Sequence, residues 1–255
     1  MAVVGSKYPV KPAWIDPSWL LWEEYVEGAT DFSNDAANRP YEIHQHACDR
    51  LANNPNEFDR VDAIMSLRRA VSRRVQMLKD IYQLDELPID PKPKGDLELL
   101  SHFGIVRPFM LRRLIDIRNI VEHQDTSPPP TDECLMFVDL VWYFLRSTDG
   151  LVREMVGDIT FVPPGIDFYG SREYHPAVTL HFHQPFAESP EITAWFNLSN
   201  LTYESRADWV RVEPSDIKGY EEDEPPQVAI KGRMLGADKH MKLLYENYFR
   251  ISHFR

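Results

Sequence analysis

The sequence predicts an α+β protein in which a helical N-terminal part is followed by an antiparallel β-rich part with a terminal helix. Up to about residue 157, apolar residues recur at spacings of three and four, as in amphipathic helices. From residue 160 onward, short apolar runs alternate with Pro, Ser, Asn and acidic stretches, as in an antiparallel sheet. We therefore expect three consecutive segments: an N-terminal arm (1–39), a helical domain (40–157) and a β-rich domain (158–255).

The N-terminal arm is predicted to be irregular, because Pro9, Pro12 and Pro17 interrupt its start. It is rich in tryptophan, leucine and tyrosine, and the segment 19–26 is a candidate for a short helix. An arm with so much apolar surface is expected to pack on the body of the protein or on a second subunit.

The helical domain is predicted to contain five helices, at residues 41–51, 57–84, 96–103, 107–121 and 131–156. The second of these helices has the clearest apolar stripe, which includes Arg68. A buried arginine at that position would need a carboxylate, a subunit interface or a site as its partner. The commoner alternative is an arginine whose aliphatic stem lies on apolar surface while its charged end reaches water.

Four strands are predicted in the β-rich domain, at residues 178–182, 191–198, 208–212 and 228–234, and a helix at 238–249 follows them. Three histidines, His175, His181 and His183, lie in or beside the first strand. Residues two apart on a strand share a face, so this group could bind zinc. Because histidines in such an arrangement more often bind no metal, we assign no metal ligand here.

The composition is that of a globular protein without a membrane-spanning segment. Hydrophobic residues make up 43% of the 255, and no apolar run approaches the length that crosses a bilayer. The first seven residues lack the charged and apolar parts of a secretory signal. Cys48 and Cys134 lie far apart without metal-ligand spacing, which indicates reduced thiols. We therefore expect a cytoplasmic protein that does not associate with membranes.

The net charge of −12 argues against tight, sequence-indifferent binding to long nucleic acids, because no overall basic surface is available to release counterions. Positive charge is nevertheless concentrated on two predicted helices. One carries Arg68, Arg69, Arg73 and Arg74, and the other carries Arg107, Arg112, Arg113 and Arg118. We expect the first group to be a solvated charged face. The second group predicts a basic pocket, which suits a selective enzyme better than a protein that coats RNA.

The most informative feature is the run Arg118-Asn119-Ile120-Val121-Glu122-His123, which closes a predicted helix shortly before three prolines. Arginine offers forked, permanently charged donors to phosphate oxygens, and histidine exchanges a proton near neutral pH. On a straight helix Arg118 and His123 would lie about 140° apart, whereas Asn119 and His123 share a face. Either the helix ends near Glu122 and frees His123, or Arg118 and His123 flank a cleft.

With the apolar helix before it and a further long helix beyond it, this run resembles the HEPN superfamily over roughly residues 40–157. The hallmark of that family of small helical domains is an arginine, usually followed by Asn, His or Asp, and then a histidine a few residues later. The resemblance implies a metal-independent endoribonuclease that needs no cofactor and acts as a homodimer. It also implies a role as a toxin or antiviral effector, with a neutralising or regulatory protein partner.

The same resemblance implies the roles of the site residues. Arg118, Asn119 and His123 of both chains would meet in one cleft, where the RNA 2′-hydroxyl attacks phosphorus. His123 would be general base or general acid, Arg118 would stabilise the charged transition state, and Asn119 would hold the imidazole or a phosphate oxygen. Arg107, Arg112 and Arg113 would bind RNA. The products would carry a 2′,3′-cyclic phosphate and a 5′-hydroxyl.

Two alternatives stay open at this stage. Arg118 could pair with Glu122 one turn further on, with His123 at the helix C-terminus, where a cation is favoured. The domain could also be a non-catalytic HEPN-like dimer that binds a nucleotide, RNA or a partner protein, which the acidic net charge favours.

Overall fold

The structure is a computed structural model that describes residues 8–32, 35–87, 89–124, 127–167, 175–183, 186, 189–220, 223, 225–235 and 239–253. Within these residues the chain is α+β, with seven α-helices and one eight-stranded antiparallel sheet, which confirms the α+β class but not the predicted order of a helical part before all strands. The chain divides into two compact units. The sheet unit comprises residues 1–30, 86–90 and 156–244, and the helical unit comprises residues 31–85, 91–155 and 245–255.

The sheet is built from strands β1 (Ala13–Ile15), β2 (Glu23–Asp31), β3 (Glu154–Val162), β4 (Ala177–His181), β5 (Glu191–Asn197), β6 (Leu201–Thr202), β7 (Val210–Tyr220) and β8 (Gln227–Leu235). Their order across the sheet is β2-β3-β4-β5-β8-β7-β1-β6. Burial alternates along the strands, as expected for a sheet with one apolar and one polar face. In β5, Ile192, Ala194 and Phe196 lie in the core, while Thr193 between them is exposed.

The N-terminal segment corrects the sequence prediction. Instead of an irregular arm with a helix at 19–26, it forms β1, a 3₁₀ helix at Pro17–Leu21 and the strand β2. Asp16 fixes the start of the 3₁₀ helix by accepting a hydrogen bond from the Ser18 amide at 2.8 Å. Strand β1 pairs with β6 and β7, both almost 200 residues later in the chain, so no local pattern could reveal the pairing.

A second correction concerns the helix predicted at 131–156, which ends at Ser147. The Thr148 hydroxyl donates to the carbonyl of Phe144 at 2.8 Å in the last turn. A short helix then precedes β3, which begins at Glu154. The β-branched residues Val156, Ile159 and Thr160 favour the strand.

The helices are α1 (Arg39–Leu51), α2 (Glu57–Tyr82), α3 (Asp96–His102), α4 (Pro108–Gln124), α5 (Thr131–Ser147), α6 (Asp149–Arg153) and α7 (Lys239–His253). The predicted helices at 41–51, 57–84, 96–103, 107–121 and 238–249 are confirmed apart from their ends. Local signals explain much of this success: Asn56 and Asp59 form a capping box at the start of α2. Pro108 begins α4, where a missing amide hydrogen costs least.

The helical unit encloses an ion pair at a position that the sequence pattern did not single out. Arg74 of α2, not Arg68, is the fully buried arginine, at 0% exposure. Its guanidinium donates to the Asp149 carboxylate at 2.9 Å, and the Tyr41 hydroxyl donates to the same carboxylate at 2.8 Å. Burial, and then this contact with Asp149, raise the pKa of Tyr41. The half-buried Arg68 donates to Ser72 instead. One carboxylate thus joins α1, α2 and the start of α6.

Removing that carboxylate should destabilise the helical unit. We expect Asp149→Ala to lower the free energy of unfolding by about 3–5 kcal/mol, because it leaves the Arg74 charge buried and unpaired. Urea denaturation followed by the helical circular dichroism signal measures the change. The matched control is Asp49→Ala on α1, which removes an exposed carboxylate that accepts a surface hydrogen bond from Gln45 and should change stability by less than about 0.5 kcal/mol. Equal effects of the two substitutions would contradict the role given to Asp149.

Gly232 on β8 faces the bulge that β7 makes between Pro214 and Asp216. A Cβ atom on Gly232 would lie 2.7 Å from the Cα of Pro214, a backbone atom that cannot rotate away. We expect Gly232→Ala to lower the stability of the sheet unit by about 1–3 kcal/mol. Gly157→Ala on β3 is the control, since its Cβ would meet only the Gly28 carbonyl oxygen at 3.9 Å. Thermal unfolding of both variants measures the change in stability. A Gly232→Ala protein as stable as the wild type would contradict the prediction.

Candidate functional site

The candidate catalytic run lies entirely on helix α4. The helix packs in the helical unit through Leu111 and Leu114, which are buried, and it continues without interruption to Gln124. Because the helix ends only one residue after His123, the arrangement in which the helix end frees His123 stays a prediction. Positions 118 and 123 lie about 140° apart around one continuous helix, so a single chain does not present both on one face.

The predicted catalytic residues are described to different extents. Asn119 is exposed on α4. The side chains of Arg118 and His123 lie outside the described residues, and so does that of Glu122, the alternative partner of Arg118. What the structure establishes for these positions is their place on the helix. Asn119 and His123 share one side of α4, and Arg118 occupies another.

Two of the three arginines predicted to bind RNA already have carboxylate partners. Arg112 donates to Glu98 of α3 at 2.8 Å, and Arg113 donates to Glu133 of α5 at the same distance. Both arginines are about half exposed, so these are surface ion pairs of modest strength. They connect α4 to α3 and α5, and a phosphate would have to compete with the carboxylates.

The third predicted RNA-binding residue, Arg107, has a different environment. It is exposed, and among the described residues it has no ion-pair partner. It lines a groove of about 370 Å³ between the segment before α4 and the side of α5. The residues that line this groove are Gly104, Ile105, Val106, Arg107, Leu111, Leu140, Tyr143, Phe144 and Ser147. We call it the Tyr143 groove, because Tyr143, one of the residues that line it, is 67% exposed.

Sequence reasoning missed the Tyr143 groove, although a signal for it was present. Leu140, Tyr143 and Ser147 recur at spacings of three and four along α5, a second stripe beside the buried one. The stripe was not recognised because the core face of α5, with Phe137, Val141 and others, accounts for most of the apolar pattern.

Helix α5 also exposes a third stripe, formed by Leu135, Asp139, Trp142 and Arg146. Leu135 and Trp142 are each more than 40% exposed, which is unusual for large apolar side chains. The Arg146 guanidinium lies 5.8 Å from the centre of the Trp142 ring. We call these four residues the outer stripe of α5. Its alternation of three- and four-residue spacings is that of helices that pack against another helix.

The arginines of α2 do not form one surface. Arg69 and Arg73 are exposed, whereas Arg74 is buried and bound to Asp149. The expectation of one solvated face is therefore correct for Arg69 and Arg73 and wrong for Arg74. The reason is that position 74 lies about 100° further around the helix and faces the interior, where Asp149 binds its guanidinium.

The histidines of the sheet unit have protein partners. His181 contacts Asp158 through Nδ1 at 2.9 Å and Thr193 through Nε2 at 3.1 Å. Its ring is parallel to that of His183, with centres 6.4 Å apart. Within the described part of the chain, no group of three His, Cys, Asp or Glu side chains is arranged to hold a metal ion. Since both nitrogens of His181 are engaged, we assign it to cross-strand packing.

The two cysteines are free thiols. Cys134 is buried and Cys48 is half-buried, and burial is the main cause that raises the pKa of both thiols. Because a raised pKa disfavours the thiolate, neither residue is an activated nucleophile.

No helix in the described part of the chain has both the length and the apolar character needed to cross a membrane. Comparisons of the chain with protein-family models, with curated proteins and with solved structures find no match. The functional interpretation consequently rests on the residues of the helical unit.

Proposed function

We propose that the protein is a metal-independent endoribonuclease of the HEPN type that acts as a homodimer. The observation that carries the proposal is the position of the Arg118–His123 run. It occupies the last part of a continuous helix, α4, and the long helix α5 follows after a proline-rich connection. This is the context in which the sequence pattern resembles the family.

The proposed reaction is attack of the ribose 2′-hydroxyl on the adjacent phosphorus. One His123 removes the 2′ proton, the O2′–P bond forms, and the P–O5′ bond breaks. The other His123 gives a proton to the leaving O5′, so that charge and atoms balance. Arg118 stabilises the negative charge on the non-bridging oxygens. Asn119, one turn before His123 on the same side of α4, orients the imidazole or a phosphate oxygen.

The need for two chains follows from helix geometry. A single α4 holds positions 118 and 123 on different sides, and one imidazole cannot be base and acid in the same step. A second α4 supplies the missing group if the two helices line one cleft. By the same resemblance we propose a cytoplasmic toxin or antiviral effector that a neutralising or regulatory protein restrains.

The outer stripe of α5 is the surface that we propose for the dimer. If two α5 helices cross antiparallel about a two-fold axis between positions 142 and 143, Asp139 lies opposite Arg146 of the partner subunit. The same axis repeats the pair with the roles exchanged, so the stripe is complementary to itself in charge. Trp142 then lies near the centre of the contact, where aromatic residues contribute most.

A non-catalytic HEPN-like dimer that binds a nucleotide, RNA or a partner protein is the second candidate. The ion pairs of Arg112 and Arg113 favour it, because they occupy two cations that an RNA-cleaving enzyme would use. The net charge of −12 favours it as well. Binding of RNA without cleavage would distinguish it from the enzyme.

Replacing the proposed general acid–base should abolish cleavage. We expect His123→Ala to reduce the cleavage rate by about 10²–10⁴-fold, with wild-type activity unaffected by a chelator. Transfer RNA and messenger RNA are incubated with each protein, and new 5′-hydroxyl ends are detected by direct labelling with a polynucleotide kinase.

The control for this experiment is His46→Ala, a half-exposed histidine of α1 that pairs with Asp62 and should leave cleavage unchanged. Equal cleavage by wild type and His123→Ala would refute the enzymatic proposal. RNA binding without any cleavage by the wild type would select the second candidate.

Charge reversal on the outer stripe tests the proposed dimer. We expect Arg146→Asp and Asp139→Arg each to raise the dimer dissociation constant about tenfold or more, since each places like charges opposite one another. Because Arg146 also lies 3.5 Å from Asp149 of its own chain, circular dichroism of each variant verifies that the helical unit stays folded. The double variant should recover most of the lost affinity, because the pair is restored with its signs exchanged. Analytical ultracentrifugation measures the constants, and Arg69→Asp on α2 is the control. A monomeric wild type, or a double variant weaker than both single variants, would contradict this interface.

A further inference from the structure

We propose that the Tyr143 groove is a subsite for one nucleobase of single-stranded RNA. This inference rests on the proposed function, and it adds the class of substrate and a position at which the enzyme recognises it. The base would enter between the segment 104–107 and the side of α5, with its backbone at Arg107.

The lining of the groove suits the flat faces of a base. Its floor is apolar, with Val106, Leu111 and Phe144 buried beneath the surface. The ring of Tyr143 stands at its edge, and the ring of Trp142 packs edge-on against it, with centres 5.0 Å apart. This contact supports Tyr143 while 67% of the residue stays exposed. Aromatic rings that are exposed and supported in this way are the platforms on which bases of single strands stack.

The size of the groove restricts the occupant. A volume of about 370 Å³ is near the lower end of small-molecule pockets, which suits one planar base and not a folded domain. A base within a duplex has both faces covered by its neighbours, so it could not reach Tyr143. The groove therefore selects a single strand or a loop over a double helix.

The polar groups favour RNA over an apolar peptide as occupant. Arg107 is the one charged side chain among the described residues that line the groove, and none of them is acidic. Its guanidinium complements the phosphate beside the bound base. The Tyr143 hydroxyl can exchange hydrogen bonds with the base edge, and the Ser147 hydroxyl, which donates to the Phe144 carbonyl at 3.1 Å, can accept one. By contrast, Arg112 and Arg113 already bind carboxylates, so Arg107 is the best-placed phosphate ligand of the three.

The groove and the proposed catalytic run lie on the same helix. Leu111 lines the groove, and the distance along the helix axis from Leu111 is about 10 Å to Arg118 and about 18 Å to His123. A base held at Tyr143 would therefore fix a strand a few nucleotides from the bond that is cut. Such a contact determines which sequence is positioned and does not itself take part in bond breaking.

Binding of a labelled oligonucleotide tests the inference without depending on cleavage. The full-length His123→Ala protein is titrated into an eight-nucleotide fluorescent single-stranded RNA at several salt concentrations. We expect Tyr143→Ala to weaken binding about tenfold to a hundredfold with the salt dependence unchanged, and Tyr143→Phe to retain most of the affinity. Arg107→Ala should weaken binding. It should also reduce the slope of log affinity against log salt concentration by about 1, the value expected for the loss of one phosphate contact.

Phe58→Ala is the matched control, because it removes an aromatic ring that is 82% exposed on α2 and should leave binding unchanged. Circular dichroism of each variant verifies that its fold is retained. Equal affinities of Tyr143→Ala and Phe58→Ala, equal binding of duplex and single-stranded RNA, or an absence of RNA binding would overturn the inference. Tyr143-dependent binding by a wild type that does not cleave RNA would refute the enzyme and keep the subsite.

Discussion

The rotation of an α-helix is the constraint on which the functional account depends. Helix α4 runs unbroken from Pro108 to Gln124, so its geometry holds positions 118 and 123 about 140° apart. An arginine and a histidine that serve one phosphate cannot come from one side of such a helix. In the proposed homodimer, a second copy of the chain would bring an arginine and a histidine from different sides of their helices to one phosphate. The position of the run on α4 is compatible with this proposal, which comes from the resemblance.

Ion pairs connect the helices of the unit in which α4 lies. The buried pair of Arg74 and Asp149 joins α1, α2 and α6, while the surface pairs of Arg112 and Arg113 fix α4 to α3 and α5. Because Glu98 and Glu133 neutralise Arg112 and Arg113, an RNA phosphate would have to displace these carboxylates to bind the two arginines. Arg107, which precedes α4, and Tyr143 of α5 are exposed beside the groove. The outer stripe occupies another side of α5. Under the two proposals above, α5 would offer separate surfaces for RNA and for a partner subunit.

The sequence predicted features that depend on local signals and missed those that depend on distant pairing. The apolar stripes located most helices, since this signal lies within the element itself, and the capping box at Asn56 explains why α2 starts where it does. Strands β1, β2, β3 and β6 were missed. Strand β1 pairs with β7 from the far end of the chain, so its own sequence does not indicate the pairing. Strand β3 was missed because the apolar run after Ser147 is also typical of a helix. The arginine of α2 that is buried could not be chosen from the stripe alone, since the position of Asp149 decides it. In the same way, the sequence indicated a group of arginines on α4, but it could not show that Glu98 binds Arg112 and that Glu133 binds Arg113.

The most direct test of the account is to mix wild-type and His123→Ala chains so that they pair at random, by refolding them together, and to measure RNA cleavage at each ratio. If both imidazoles serve one phosphodiester, a mixed dimer is inactive and activity falls with the square of the wild-type fraction. An equal mixture then has about a quarter of the wild-type rate, because only that share of dimers has two intact chains. A linear decrease, to about half the rate in the equal mixture, would show that each chain cleaves on its own and would contradict the shared site.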